Sequence, residues 1–255
     1  MTVAVFSALQ PEIDLLVDAL DRPERADVAD WPVWTGEVHG TRAVLAKAGV
    51  GKVNMAALAA LVWERHRPRL MVCTGVAGGL DPSLGVGDVV IGERTIQHDA
   101  GVAGPAGLQR YQAGRLPFYN PTDQLGFAPS GRVLGSMRRV VDDTALMPVL
   151  GEAPTVAFGT IVTGDQFLQD RTTRDRLFAD LGAQAVEMEG AALAQTAQRL
   201  GVEHIVIRSL SDLATGEAVA NFDRFVSEAS ANSARLALGL IARLEEDDRD
   251  LALGS

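Results

Sequence analysis

The stretch AQAVEMEGAALAQTAQRLGVEHIVIRSLSD, residues 183–212, contains the pattern that decides the fold. Its two apolar runs, 183–188 and 204–212, have the length and composition of strands. They flank residues 189–200, a longer run with the spacing of a helix. Strands that are apolar at nearly every position are typical of sheets covered on both faces. This order of elements therefore predicts a layered α/β fold.

The same alternation of strands and helices continues along most of the chain. Further strands are predicted at 3–8, 42–48, 70–77, 88–93 and 156–164, and further helices at 11–20, 52–66, 131–145, 171–181 and 222–244. This order predicts one α/β domain over residues 1–244 with a mostly parallel or mixed central sheet. Residues 245–255 are acidic, and we expect them to form a solvated, frayed tail.

Residues 100–130 interrupt this alternation. The segment is rich in glycine and proline and contains both tyrosines, Tyr111 and Tyr119. A loop of this length is usually a functional lid, an interface element or disordered. Two phenylalanines accompany the tyrosines, and this aromatic content argues against simple disorder.

Composition excludes several kinds of partner. The chain has 255 residues and a formal net charge of −10, so its surface repels the phosphates of nucleic acids. No apolar run approaches the roughly 20 residues that span a bilayer, and the N-terminus lacks the basic region of a secretion signal. The single cysteine, Cys73, cannot form an internal disulfide. We therefore expect a cytoplasmic protein that binds a small molecule.

Carboxylates follow the predicted strands at the edge where such sheets bind ligands. The ends of four strands supply acidic side chains and the end of another supplies glycine-rich backbone; the residues concerned are Glu12, Asp165, Glu187, Glu189, Asp212 and the turn 74–79. Taken singly, each has a structural explanation, such as a helix-dipole partner, a cap or a tight turn. Their joint placement at one end of one sheet is the stronger observation.

The chemistry that these residues suggest is proton transfer. Cys73 lies within a predicted strand, the four histidines form no paired motif, and no Cys/His cluster has the spacing of a metal site. We therefore expect neither a metal nor a cofactor. His98, beside Asp99, fits a structural role best. Carboxylates without a nucleophile or metal resemble the acid pairs that cleave glycosidic bonds.

Seven motifs carry a family resemblance: SALQPEI, AGVGKVN, TGVAGGL with GVGDVV, QHD, TGDQF, VEMEGAA and RSLSD. In this order they resemble the 5′-methylthioadenosine/S-adenosylhomocysteine nucleosidases of the wider nucleoside phosphorylase family. The insert at 100–130 is similar to that of actinobacterial members. The resemblance implies a three-layer α/β/α sandwich with a central mixed sheet, usually a homodimer. It also implies hydrolysis that releases adenine and a thioribose, as in methionine salvage, without a cofactor.

The resemblance also implies roles for individual residues. Glu12 matches the acid that activates water, and Asp212 matches the acid that protonates adenine N7. Met188 and Glu189 match the pair that binds ribose, and Phe167 matches the ring that stacks on adenine. The other expected contacts with the substrate are Leu168, Gly78, Val76, Ala77, Ser211, Arg208 and Glu187.

Elementary chemistry supports these roles. Adenine leaves poorly as an anion, so its protonation lowers the barrier, and an ionised Glu189 would stabilise positive charge on the ribose. Strand alternation turns Glu187 to the same side as Glu189, but the start of the next helix can rotate it away. Direct contact between Glu187 and the ligand stays open at this stage.

Three alternative functions are considered. A phosphorylase needs cations for phosphate, but the first turn, ALQPE, has none, and Arg208 is the only obvious cation near the site. A nucleoside-binding protein without activity would be expected to lack Glu12 or Asp212. Some relatives instead cleave 6-amino-6-deoxyfutalosine, and the sequence does not rank these substrates.

Two features bear on the details of substrate and water binding. Leu9, Val50 and Phe222 are the candidates for an apolar pocket around the 5′ substituent. Val76 stands where several nucleosidases have serine, whose hydroxyl can help to hold water. The placement of water is therefore open.

Overall fold

The computed structural model describes residues 1–105 and 107–253, with side chains through residue 247. The strands are β1 (Thr2–Ser7), β2 (Asp21–Val28), β3 (Trp31–Val38), β4 (Thr41–Lys47), β5 (Leu70–Gly79), β6 (Val89–Gln97), β7 (Gly101–Gly104), β8 (Gly107–Arg110), β9 (Val156–Thr163), β10 (Ala183–Glu187) and β11 (Glu203–Asp212). The helices are α1 (Gln10–Asp18), α2 (Lys52–His66), α3 (Gly131–Asp143), α4 (Arg171–Leu181), α5 (Gly190–Leu200) and α6 (Ala218–Leu253).

Nine strands form one mixed sheet in the order β10-β9-β6-β11-β5-β1-β4-β3-β2. Pairs along the middle of the sheet, such as β1 with β4 and β5 with β11, are parallel. The pairs β6–β11 and β3–β4 are antiparallel. The strand β10 also pairs with β5, so β10, β9, β6, β11 and β5 close into a ring. The mixed central sheet predicted from the sequence is confirmed.

Two apolar layers cover the sheet. Val3 and Val5 of β1 pack in a core that includes residues of α1, α3 and α6. Ala4 and Phe6 alternate with them and pack in a second core with residues of α2 and α5. This alternation gives the strand its continuous apolar sequence, because both of its faces are buried. The three-layer α/β/α arrangement is therefore confirmed.

Two strands of the large sheet, β2 and β3, escape sequence analysis. Every residue of β2 except Val28 is exposed, because β2 is the edge strand. Its sequence, DRPERADV, has neither apolar alternation nor an apolar run, and its charges suit an edge that must not pair with other chains. Strand β6 is also longer than predicted and continues to Gln97.

The insert at 100–130 has local structure of its own. Strands β7 and β8 form a two-stranded sheet, and the Tyr111 hydroxyl bonds both the N–H and the C=O of Thr122. Phe127 is buried and pairs through its backbone with Thr95 of β6. Phe118 and Tyr119, by contrast, are 78% and 83% exposed. The insert is thus anchored at its end and presents aromatic side chains on the surface.

The last helix, α6, is longer than the predicted 222–244. It begins at Ala218 and continues to Leu253, so residues 245–253 are helical and not frayed, while residues 254–255 of the predicted tail lie outside the described residues. The Thr41 hydroxyl bonds Glu245, and Asp247 accepts hydrogen bonds from Ser136 at 2.6 Å and Arg139 at 2.7 Å. Within the described residues, no helix is both long enough and apolar enough to cross a membrane.

A buried histidine in β11 gives a prediction about acid stability. His204 is 6% exposed, and its Nε2 has no hydrogen-bond partner among the described residues. Burial lowers its pKa to about 4 although Glu203 opposes the shift. The unfolded chain, with an ordinary histidine pKa of about 6.5, binds the proton first as the pH falls. This histidine therefore makes stability fall progressively from about pH 6.5 to pH 4.

We expect a His204→Phe variant to lose about 2 kcal/mol less unfolding free energy than the wild type between pH 6.5 and pH 5. Urea denaturation at both pH values measures the difference. His39→Asn, at an exposed position, should retain the wild-type pH dependence. Equal losses in His204→Phe and the wild type would contradict this explanation.

Candidate active site

A cavity of about 270 Å³ lies where β1, β5, β10 and β11 end. All the predicted site residues except Arg208 line it, and so do the three candidates for the 5′ pocket, Leu9, Val50 and Phe222. Among the described residues that line the cavity, none carries a positive charge. The structure therefore brings four of the predicted carboxylates, Glu12, Glu187, Glu189 and Asp212, together in one acidic, otherwise mostly apolar space, whereas Asp165 does not line it.

Glu12 is held rigidly at one side of the cavity. Helix α1 begins just after β1, and the Glu12 side chain turns back to accept N–H bonds from Ala8 at 2.9 Å and Leu9 at 2.8 Å. Its other oxygen accepts the N–H of Val76 at 3.0 Å. Burial raises the pKa of Glu12, although Arg208 and the three N–H groups oppose the shift. A fixed carboxylate with a raised pKa suits a general base.

Asp212 stands at the end of β11 with its carboxyl group in the same cavity. One oxygen accepts the N–H of Ala214 at 2.8 Å, and the other accepts the hydroxyl of Ser211 at 3.0 Å. Burial raises the pKa of Asp212 although both hydrogen bonds lower it. The Ala214 bond is local to the segment that follows β11 and holds the carboxyl group in place. The raised pKa favours a carboxyl group that keeps a proton for donation.

Glu189 immediately precedes α5, yet its side chain forms no capping hydrogen bond to that helix. One oxygen accepts the N–H of Gly51 at 2.8 Å, and the other lies 3.3 Å from Nη2 of Arg208. Burial raises the pKa of Glu189 to about 8, against the lowering effect of Arg208. A cationic ligand group would favour its ionised form.

The predicted position of Arg208 at the ligand site is wrong. Arg208 lies behind the carboxylates and does not line the cavity. Its side chain is fully buried, and Nη2 contacts Glu187, Glu189 and the Cys73 sulfur, the last at 3.2 Å. The expected direct contact between Arg208 and a ligand is thus not what the structure supports. A buried cation here compensates the negative charge of the neighbouring carboxylates.

Glu187, whose role the sequence left open, reaches the cavity wall but is engaged by the protein. Its carboxylate accepts bonds from Arg208, from the Thr163 hydroxyl and from the N–H groups of Glu189 at 3.1 Å and Gly190 at 2.7 Å. Both oxygens therefore have protein donors. Glu187 thus supports Glu189 through its backbone N–H, and its direct contact with a ligand stays a prediction.

The mouth of the cavity is aromatic. Phe167 is 44% exposed, so its ring is not part of the buried core. Its ring meets that of Phe222 edge to face, with centroids 5.8 Å apart and planes at 88°. An exposed ring held in this way leaves a face on which a planar ligand can stack.

Other lining residues were not predicted from the sequence. Ala8, Gln166 and Val186 contribute to the wall, and each is adjacent in sequence to a predicted site residue or lies within one of the seven motifs. Their position in those motifs was the available signal. Among the described residues, no group of three or more His, Cys, Asp or Glu side chains is arranged to hold a metal ion.

Comparison with known proteins places the chain in a family. The family model described as phosphorylase superfamily matches residues 2–242. The chain belongs to the phosphorylase superfamily. Within it, the chain is 42% identical over 247 residues to the 5′-methylthioadenosine/S-adenosylhomocysteine nucleosidases of Mycobacterium tuberculosis and Mycobacterium bovis, a match that covers 94% of this chain and 97% of each relative. The enzyme of that name from Bacillus subtilis is 34% identical, with 96% and 100% covered.

Solved structures of nucleosidases in this superfamily have the same fold. The enzyme from Neisseria meningitidis, in complex with methylthio-immucillin-A, matches with a TM-score of 0.81 and 33% identity, covering 94% of this chain and 98% of that one. The enzyme from Colwellia psychrerythraea, in complex with adenine, matches with a TM-score of 0.83 and 30% identity, covering 96% of both chains. The chain is therefore a member of the 5′-methylthioadenosine/S-adenosylhomocysteine nucleosidase family, in agreement with the motif resemblance.

Proposed function

We propose that the protein hydrolyses the N-glycosidic bond of 5′-methylthioadenosine and S-adenosylhomocysteine to give adenine and the corresponding thioribose. The observation that carries this proposal is the convergence of Glu12, Glu189 and Asp212 on one cavity. The family relationship supports it, because the nucleosidases at 42% identity are aligned over nearly their whole length.

The first step is departure of the base. Asp212 donates its proton to N7 of adenine, and the electron pair of the bond between C1′ and N9 moves to the base. Burial raises the pKa of Asp212, which keeps this proton available. Phe167 at the mouth stacks on the adenine ring, and the backbone of Gly78 and Leu168 faces the base edge. Because adenine then leaves as a neutral molecule and not as an anion, the barrier to cleavage of the glycosidic bond is lower.

Stabilisation of the sugar and attack by water complete the reaction. The ribose gains oxocarbenium character, and the ionised carboxylate of Glu189 holds its hydroxyls and stabilises that charge. Met188 forms the adjoining wall. Glu12 takes a proton from water as the oxygen bonds to C1′. Three backbone N–H groups hold the Glu12 carboxylate in a fixed direction. Glu12 can therefore align the water although Val76 has no hydroxyl group to help.

The competing functions differ in what the cavity must hold. A phosphorylase needs cations beside the sugar, and the described lining residues include none. A binding protein without activity has no need of two buried acids with raised pKa values. Cleavage of 6-amino-6-deoxyfutalosine requires the same acids and stays an alternative substrate; comparison of kcat/KM for the candidate substrates distinguishes them.

The test of the proposed function is adenine release from 5′-methylthioadenosine in a phosphate-free buffer. We expect full activity there and no increase when phosphate is added. Release that requires phosphate would identify a phosphorylase. A failure to release adenine from any 5′-modified adenosine, with measurable binding, would identify a binding protein.

The proposal extends to assembly, location and domain organisation. We propose a homodimer, supported by the exposed apolar side chains of Val53 on α2 and of Phe118 and Tyr119 on the insert. The two aromatic rings of the insert would add to the 5′ pocket of a second copy. The molar mass in solution tests this. We also propose a cytoplasmic location, supported by the lone, buried Cys73, and a single catalytic domain that includes all of α6.

A further inference from the structure

Three charged residues from motifs without an assigned role meet beside the cavity. Lys52 belongs to AGVGKVN, Asp99 follows QH in QHD, and Asp165 belongs to TGDQF. The ammonium group of Lys52 lies 2.7 and 2.8 Å from the two oxygens of Asp99 and 3.6 Å from Oδ2 of Asp165. We call these residues the Lys52 cluster. None of them lines the cavity.

Backbone hydrogen bonds complete the Lys52 cluster. The N–H of Lys52 donates to Oδ1 of Asp165 at 3.0 Å, and the N–H of Asp165 donates to Oδ2 of Asp99 at 3.1 Å. The Lys52 and Asp99 side chains are 19% and 26% exposed, so water screens them only in part. Burial would raise the pKa of Asp99, but its bonds from Lys52 and Asp165 lower it overall. The cluster thus fastens the start of α2 to the segments that follow β6 and β9.

Two of these segments lead directly into the cavity. The residue before Lys52 is Gly51, whose N–H holds the Glu189 carboxylate at 2.8 Å. The residues after Asp165 are Gln166, Phe167 and Leu168, all of which line the cavity. The segment of Gly51, which holds Glu189, and the segment of Phe167 are therefore joined through the side chain of Lys52.

The approach of these two segments is also close. A Cβ atom placed on Gly51 would lie 3.3 Å from Oδ1 of Asp165, and Gly51 has a φ of +101°. A side chain at position 51 would therefore be strained and would crowd Asp165. The tight packing leaves little freedom for the donor of Glu189 to move relative to the segment that carries Phe167.

We propose that Lys52, Asp99 and Asp165 are positioning residues, which fix the Gly51 N–H that holds Glu189 relative to the Phe167 segment. This inference rests on the proposed function, because it assigns Glu189 to the sugar and Phe167 to the base. A partly exposed ion pair alone contributes little to stability. Misplacement of a catalytic group by about 1 Å, in contrast, can cost about 100-fold in rate. Loss of the cluster therefore affects turnover more than folding.

The test compares three variants at a temperature well below their melting points. For Lys52→Met, we expect kcat/KM with 5′-methylthioadenosine to fall at least about 10-fold, with a lower kcat and a higher KM. Lys52→Arg keeps a cation and should recover most of this loss. Arg139→Met removes an ion pair between α3 and α6 and should stay within about twofold of the wild type. A folded Lys52→Met enzyme within twofold of the wild type would overturn the proposal.

Hydrogen exchange gives a second readout that does not depend on activity. In Lys52→Met, the amides of Gly51 and Asp165 should exchange faster, while amides in β1 and β4 should not change. If Lys52→Met does not fold, Asp99→Asn takes its place in both measurements. If the wild type releases no adenine, the proposed function fails, and the exchange data still decide the role of the Lys52 cluster. Unchanged exchange at both amides overturns it.

Discussion

An Asp212→Asn variant is expected to lose at least about 100-fold in kcat with 5′-methylthioadenosine, because an asparagine amide cannot donate a proton to N7. The fold should be retained. The asparagine oxygen can still accept the Ala214 N–H, which now bonds Asp212 at 2.8 Å. Its amide group has nearly the size of the carboxyl group that it replaces. The effect therefore isolates the proton from the shape of the side chain.

Steady-state kinetics and thermal denaturation together test this expectation. Asp170→Asn is the matched control, since Asp170 caps α4 through the N–H of Thr173 and lies outside the cavity. Asparagine is an equally good cap, so stability and turnover should both stay near wild-type values. Near-normal turnover in Asp212→Asn would remove Asp212 from its role as the acid.

A Glu12→Gln variant should also lose at least about 100-fold in kcat, but for the loss of a proton acceptor. Its amide oxygen can keep the bonds from the Ala8 and Leu9 N–H groups. Its amide nitrogen would then face the N–H of Val76, so one hydrogen bond is lost and stability falls by about 1–3 kcal/mol. The substrate should still bind, because the substitution does not change Phe167, on which we propose that adenine stacks.

Calorimetric titration of the inactive variant with 5′-methylthioadenosine measures this binding directly. Glu37→Gln, at a surface ion pair with Arg22, is the control for a change of glutamate to glutamine outside the cavity. We expect Glu12→Gln to bind within a few-fold of the wild-type KM and to turn over slowly. If its turnover matches that of Glu37→Gln, Glu12 is not the base.

The parts of the fold that were predictable are those that bury both faces. The strand that begins at Val3 and the strand that contains Cys73 have apolar side chains on both sides, and their sequences show it directly. The edge strand β2 packs little and carries charge, so neither period nor propensity identifies it. The charged residues at the end of α6 likewise hide its structure from sequence analysis. Its acidic residues look like a solvated tail, yet Asp247 is paired with α3.

The site was predictable where chain direction alone determines position. Parallel strands end at one edge of a sheet, which is why Glu12, Glu189 and Asp212 could be grouped before any coordinates. How deeply a side chain is buried does not follow from chain direction. Arg208 stands four residues before Asp212 on the same strand, and only the structure places it behind the cavity wall. The Lys52 cluster joins residues 47 and 113 positions apart, for which no local pattern exists.

The ring formed by β10, β9, β6, β11 and β5 has a mechanical consequence. Gly78 of β5 pairs with Val186 of β10 and also with Asp212 of β11, so the strands that end at Glu187 and Asp212 and the glycine-rich end of β5 share one closed circuit of backbone hydrogen bonds. An open sheet can separate at its edge strand, whereas a closed ring of strands has no edge from which separation can begin. We therefore expect the backbone positions in this ring to fluctuate far less than those of the edge strand β2.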